Sequence, residues 1–195
     1  WVALSALCAL AAPAAAAAAC RAETFEGTPY TVCEAGAGAD LRVFQTAPDG
    51  TPFGSFARIE AALGRPLVFA MNAGMYHEDR SPVGLLIEDG QERARLVTAA
   101  GPGNFGMLPN GVFCVLETGF AVIESRAFAR TPPACRYATQ SGPMLVIDGA
   151  LHPRFRADSD NTTVRNGVGV PADGSRAVFV IADRPVNFHA FARFF

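Results

Sequence analysis

The sequence predicts an α+β fold: a large, twisted, mainly antiparallel or mixed sheet with helices packed on it. Three observations predict it. Apolar runs of strand length recur along the chain, two-residue turn dipeptides rather than helices join them, and only two stretches carry helical periodicity. Hairpins of this kind argue against a doubly wound arrangement, whose parallel strands need helical crossovers. With 195 residues, 50% of them hydrophobic and 17% charged, the chain suits one domain with a sizeable core.

Taken in order, the first stretch, WVALSALCALAAPAAAAAAC, carries no charge and is dominated by Ala and Leu. It has the apolar region and small-residue cleavage zone of a secretory signal without the basic start, so residues 1–20 read as a partial signal peptide and 21–195 as the folded domain. A membrane anchor is the competing reading, but alanine contributes little to insertion and Pro13 interrupts the run, so no stable span is expected after signal removal. The product would be exported, periplasmic or extracellular. Cys20 is alternatively a lipoprotein acceptor, although Ala17 stands where a lipobox has a larger aliphatic residue.

Setting Cys8 aside, Cys20, Cys33, Cys114 and Cys135 form an even set in an exported chain. Three pairings are possible. The most local one, Cys20 with Cys33 and Cys114 with Cys135, closes short loops that contribute on the order of 3 kcal/mol each. The chain has no CxxC and its histidines lack ligand spacing, so no metal and no cofactor is expected.

Residues 40–46 (DLRVFQT) alternate as a half-exposed strand. Ser55 is a good N-cap for a helix with Phe56, Ile59 and Leu63 on one face, ended by Gly64 and Pro66. Residues 66–71 (PLVFAM) read as a central strand covered on both faces. Residues 84–97 are the clearest hairpin, turning at Asp89-Gly90. Residues 111–125 repeat the device at Thr118-Gly119, 143–153 place Asp148-Gly149 after an apolar strand, and 163–183 form a strand pair around Asp173-Gly174. Finally, Val186 and Asn187 resemble a staple and N-cap for Phe188, Phe191 and Phe195 at helical spacing. That helix is expected to run on beyond residue 195, the C-terminus being read as truncated.

Function is signalled where apolar strands end in small polar tracts: Asn72-Ala73-Gly74-Met75-Tyr76, Gly103-Asn104-Phe105 with Pro109-Asn110-Gly111, Gln140-Ser141-Gly142-Pro143, and Arg165-Asn166-Gly167. Glycine lets backbone approach a ligand, and neutral amides and hydroxyls suit sugar hydroxyls. Each tract alone is an ordinary turn. Turns do not require Tyr76, His77, Arg80, Gln140 and Arg165 beside them, however, and together these point to a polyol or anionic-sugar pocket. A net charge of -2 from scattered charges carries neither a nucleic-acid footprint nor a polybasic membrane patch. The expected partner is a small molecule or glycan.

The ordered set MNAGMY, SPVGLLIEDG, GNFGMLPNGVF, ATQSGPMLVIDGALHP, VRNGVGV and VNFHAFARFF resembles the phosphodiester glycosidase family. The likeness is to its bacterial exported branch, related to the lysosomal uncovering enzyme that removes N-acetylglucosamine from mannose-6-phosphate diesters. The resemblance implies a hydrolase acting on a sugar 1-phosphodiester. Its pocket would be formed by the NAGM loop, the QSGP segment, the Asp148-Gly149 turn and the RNGVG strand. Asn72 and Gly74 match the family's Asn-Gly-Gly loop, with Ala73 in place of a glycine, and Met75-Tyr76 departs from the aromatic pair of the animal members. The resemblance also implies a later aliphatic-Asp-Gly tract beyond residue 195.

Such cleavage passes through an oxocarbenium-like state with a phosphate monoester as leaving group, so acid assistance matters less than usual. The site must neutralise phosphate and present a carboxylate to water or the anomeric carbon. The expected catalytic set is Asp148, Arg165 and His77, with Arg165 and Arg80 holding phosphate and His77 or His152 assisting; the aspartate of the later tract competes with Asp148. Substrate binding is expected from Asn72, Gly74, Tyr76, Arg80, Asn110, Gln140, Ser141, Gly142, His152 and Asn166. Plainer roles compete: Asp148 as a turn residue, Arg80 as a solvated charge, His152 as a strand-exit cap. The competing function is a noncatalytic envelope protein that binds a glycan or cell-wall fragment.

Overall fold

A computed structural model of the chain describes residues 18–195. Most of the leader-like tract, with Cys8, lies outside the described residues. The elements run β1 (Ala19–Phe25), β2 (Thr28–Gly36), α1 (Phe56–Leu63), β3 (Leu86–Glu88), β4 (Gln91–Ala94), β5 (Gly111–Leu116) and β6 (Gly119–Glu124). They continue with α2 (Ser125–Arg130), β7 (Tyr137–Ser141), β8 (Val146–Ile147), β9 (Ala150–Leu151), β10 (Asn166–Gly169), β11 (Arg176–Ala182) and α3 (Phe188–Phe194). The class is α+β and the pairings are antiparallel, as the hairpin pattern requires. The sheet is divided, though: one has the order β1-β2-β11-β10, a second β4-β3-β7-β5-β6, and β8-β9 is a separate ribbon.

The layers follow from side-chain alternation. In the first sheet Tyr30, Val32, Val180 and Ala182 face Val186 and Phe191 of the α3 region, while Cys33, Ala35, Ala177 and Phe179 face the second sheet. There they meet Phe113, Val115, Phe120 and Tyr137; the Phe113 and Phe179 rings lie edge to face at 5.7 Å. The far side of the second sheet, Val112, Cys114 and Ala138, packs under Phe128 of α2. Strands buried on both faces carry unbroken apolar runs for this reason, as in Val112–Val115.

Local chemistry sets the connections. Asp89-Gly90 and Asp148-Gly149 turn as expected, with positive φ at both residues (48° and 75°; 49° and 79°). At the β5–β6 turn the register pairs Leu116 with Gly119, so Glu117-Thr118 is the two-residue loop and Gly119 already belongs to β6. Ser55 Oγ accepts from Arg58 N–H at the start of α1, which ends on left-handed Gly64. Asn187 Oδ1 accepts from Ala190 N–H at 2.9 Å to start α3.

Two expected strands are absent. Of residues 40–46 only Thr46 makes a bridge, to Pro52, and 66–71 pair with nothing among the described residues. Leu41, Val43, Phe69 and Met71 lean on the inter-sheet core while Val68 is 70% exposed, so alternation reports one covered face rather than a hydrogen-bonded ladder. Helix α2 and the β1–β2 hairpin were not expected. Glu124 caps α2 by accepting from Ala127 N–H at 2.8 Å, and Glu26-Gly27 turns the hairpin.

The disulfides join Cys20 to Cys33 and Cys114 to Cys135, the most local pairing. Cys20 stands opposite Cys33 in the β1–β2 register, so the boundary expected at residue 20 falls inside β1. A sulfur in this bond is not available for a lipid thioether. Among the described residues no helix is long and apolar enough to cross a membrane.

Candidate functional site

A cleft of ≈ 2120 Å³ is lined by Asn72, Gly74, Tyr76, Arg80, Ser141, Gly142, Asp148, Arg165 and Asn166, together with many apolar side chains. That volume exceeds the roughly 300–1,000 Å³ of small-molecule pockets, so only a part of the cleft fits a sugar phosphate. The polar part is where the Asn72 loop meets the start of β10. Asn166 Nδ2 donates to Asn72 Oδ1 across a sequence separation of 94, and Asn72 Nδ2 donates to Gly74 O at 3.0 Å. Gly74 (φ 102°) seats this loop on β7, where a Cβ would come within 2.8 Å of Gln140 O.

Arg165 precedes Asn166 and is 8% exposed. Nε donates to Val186 O at 2.9 Å, Nη2 donates to Asn161 O at 3.0 Å, and the guanidinium lies 3.6 Å over the Phe188 ring. It has no ion pair among the described residues, and burial lowers its pKa from the ordinary arginine value. Nη1 makes no hydrogen bond among the described residues, and Arg165 is one of the residues that line the cleft. Arg80 likewise lacks a carboxylate partner among the described residues and stacks 5.2 Å over Tyr76.

Three carboxylates line the cleft: Asp40, Glu124 and Asp148. Hydrogen bonds from Arg42, then the Arg65 contact, hold Asp40 below the usual aspartate range, and Glu124 caps α2. Asp148 sits exposed on the β8–β9 turn with no hydrogen bond or ion pair among the described side chains. It is both a turn residue and the cleft's unengaged carboxylate. His77 lies on the exposed turn with Arg80 but does not line the cleft.

Three expected binding residues are instead enclosed supports outside the cleft lining. Gln140, 2% exposed, accepts through Oε1 from Leu85 N–H (3.1 Å) and Val97 N–H (3.0 Å) and donates through Nε2 to Val97 O. Its polar atoms serve the scaffold, although Ser141 and Gly142 beside it line the cleft. His152 accepts from Arg154 N–H at Nδ1, which leaves Nε2 to donate to Leu108 O at 3.1 Å. Asn110 donates to Phe105 O at 2.8 Å, while its Oδ1 is sealed without a partner against Gly142, where a Cβ would stand 1.9 Å away.

Sequence reasoning missed Phe188 and Asn161, which hold Arg165, and Asp79, which shapes the turn carrying Arg80. The Asp-x-Ser spacing of Asp79 and Ser81 was the readable signal for the last. Among the described residues no group of three His, Cys, Asp or Glu is placed to hold a metal ion.

Comparison with known proteins places this geometry in context. The family model described as NAGPA, phosphodiester glycosidase, matches residues 65–195. The chain is also similar to a protein of Escherichia coli (strain K12) named "Uncharacterized protein YigE", at 41% identity over 123 residues, 63% of this chain and 48% of that protein. The matched stretch thus spans about half the length of that relative.

Proposed function

Because this chain belongs to the phosphodiester glycosidase family, we propose that it forms part of an exported hydrolase that releases a sugar from a sugar 1-phosphodiester. The observation that carries the reading is the Asn72–Asn166 contact in a cleft that Arg80, Arg165 and Asp148 also line. The amides suit sugar hydroxyls, and the two arginines, free of carboxylate partners among the described residues, suit a phosphodiester anion. The bond between the anomeric carbon and phosphate oxygen breaks, the phosphate monoester leaves as a stable anion, and water supplies the new oxygen on the sugar.

In this mechanism Arg165 is the fixed donor, since backbone carbonyls and Phe188 hold its guanidinium. Arg80 approaches from the loop, and His77 on the same turn assists at the rim. Asp148 activates water or stabilises the developing positive charge at the anomeric carbon. Two disulfides support export, since such bonds persist in oxidising compartments.

The exposed turn position of Asp148 favours a second reading, a noncatalytic envelope protein that binds a glycan with the same cleft. The full-length protein is to be screened for free sugar released from sugar 1-phosphodiesters, including lipid-linked and polymeric ones. Asp148→Asn is expected to abolish turnover while binding stays measurable. Unchanged turnover removes Asp148 from the catalytic role, and binding without turnover across the screen favours the glycan-binding reading.

A further inference from the structure

Residues 75–83 form a short arm. Val83 N–H donates to Met75 O at 3.0 Å, Tyr76 and Pro82 make an isolated bridge, and His77 N–H donates to Ser81 O at 2.8 Å. The tip of this arm repeats a turn that the fold builds in two other places. Asp49 accepts from Thr51 N–H and Oγ1–H at 2.9 and 2.7 Å, Asp79 from Ser81 N–H and Oγ–H at 2.9 and 2.6 Å, and Asp173 from Ser175 N–H and Oγ–H at 3.0 and 2.7 Å. In each turn the intervening residue donates its N–H to the carbonyl three residues back, to Ala47, His77 and Pro171 respectively, at 2.9 Å.

Two of these intervening residues are glycines, Gly50 at φ 81° and Gly174 at φ 68°. The third is Arg80, at φ 71°. The backbone demand is the same in all three turns, and a residue with a Cβ meets it under strain that glycine avoids. Nothing within the turn uses the Arg80 guanidinium. It lies over Tyr76, lacks an ion pair among the described residues, and lines the same cleft as Asn72.

Resting on the phosphodiester glycosidase reading above, we propose that the 75–83 arm is a specificity device. Asp79 positions Arg80 to recognise the phosphodiester anion, and so separates charged sugar phosphodiesters from neutral glycosides. Asp79 acts through the turn: by fixing Ser81 it closes the loop that keeps Arg80 left-handed and directs its side chain back over Tyr76. The Ser81 hydroxyl and N–H also hold the Asp79 carboxyl below the usual aspartate range, keeping it an acceptor. Tyr76 covers one face of the guanidinium and leaves its N–H edge for phosphate oxygens.

The test uses the full-length protein and matched ligands: the methyl phosphodiesters of glucose 1-phosphate and N-acetylglucosamine 1-phosphate, and the methyl glycosides of the same sugars, titrated by calorimetry alongside sugar release. Arg80→Gly is expected to weaken phosphodiester binding on the order of tenfold. Neutral glycoside binding stays unchanged and the melting temperature does not fall, since the turn accepts glycine elsewhere. Arg80→Lys restores part of the lost affinity. Asp79→Ala weakens phosphodiester binding in the Arg80 protein and adds nothing in the Arg80→Gly background; a merely structural role would lower the melting temperature in both and leave affinity alone.

Equal phosphodiester affinity in the parent and Arg80→Gly proteins overturns the proposal. Arg80-dependent binding with no sugar released from any phosphodiester sinks the glycosidase reading and leaves the arm as an anion-recognition device. Sugar release with Arg80→Gly kinetics like the parent's does the reverse.

Discussion

Replacing Gln140 with Met should damage the fold rather than ligand contacts. The substitution keeps an apolar chain of similar length and removes both amide atoms. Two backbone N–H groups, on Leu85 and Val97, and the carbonyl of Val97 then lose their partner in a region where Gln140 is 2% exposed. An unpaired buried group costs about 1–3 kcal/mol, and partial water entry lowers the sum, so about 3–5 kcal/mol is expected. At roughly 2–4 °C per kcal/mol for a domain of this size, melting should fall by about 6–20 °C. Urea denaturation followed by circular dichroism gives the loss directly. A loss under about 1 kcal/mol, with ligand affinity abolished, would return Gln140 to the binding site and refute its assignment as scaffold. Gln140→Glu sharpens the test, because it keeps both acceptor contacts but needs a proton to bond Val97 O. Burial raises such a carboxyl's pKa, so its contribution is full below the unfolded glutamate value of about 4.3 and is lost as pH rises through the folded value.

Gly74→Ala should destabilise by about 2–4 kcal/mol, because the new Cβ at φ 102° meets the Gln140 carbonyl; a wild-type urea midpoint would show that the loop does not seat on β7. Arg165→Lys should lose about 2 kcal/mol despite keeping the charge, since an ammonium cannot span Val186 O and Asn161 O while stacking on Phe188; unchanged denaturation would dissolve that clamp. Asp40, held below the usual aspartate range by hydrogen bonds from Arg42 and then Arg65, should add stability that is fully present above the ordinary aspartate value and is lost as pH falls through the lower folded value. Asp40→Asn should flatten that acid limb in melts across pH, and an unaltered limb would deny the coupling.

The sequence made the hairpins legible because their signal is local: Asp89-Gly90 and Asp148-Gly149 need only their own backbone freedom to turn. The capped ends of α1 and α3 were legible for the same reason. Residues 40–46 and 66–71 misled because alternation marks a covered face, whereas a strand also needs a neighbour, and pairing is not local information. In the site, Asn72, Asn166 and Arg165 announced themselves as polar residues flanking apolar runs, and they do line one cleft. Gln140 had the same appearance yet turns the other way, because its amide satisfies the backbone of Leu85 and Val97. Residue type and spacing do not encode that choice of partner. Arg80 was visible as a charge and its turn as an Asp-x-Ser spacing, but the left-handed backbone it shares with Gly50 and Gly174 is set by the fold and not by its residue type.

In the proposed function a sugar 1-phosphodiester binds where the Asn72 and Asn166 amides meet, with Gln140 excluded from contact. Side-chain amide NMR of the labelled full-length protein during titration with N-acetylglucosamine 1-(methyl phosphate) tests it most directly. Shifts of the Asn72 and Asn166 NH₂ signals are expected, with the Gln140 signal unmoved. A moving Gln140 signal beside static Asn72 and Asn166 signals would contradict it.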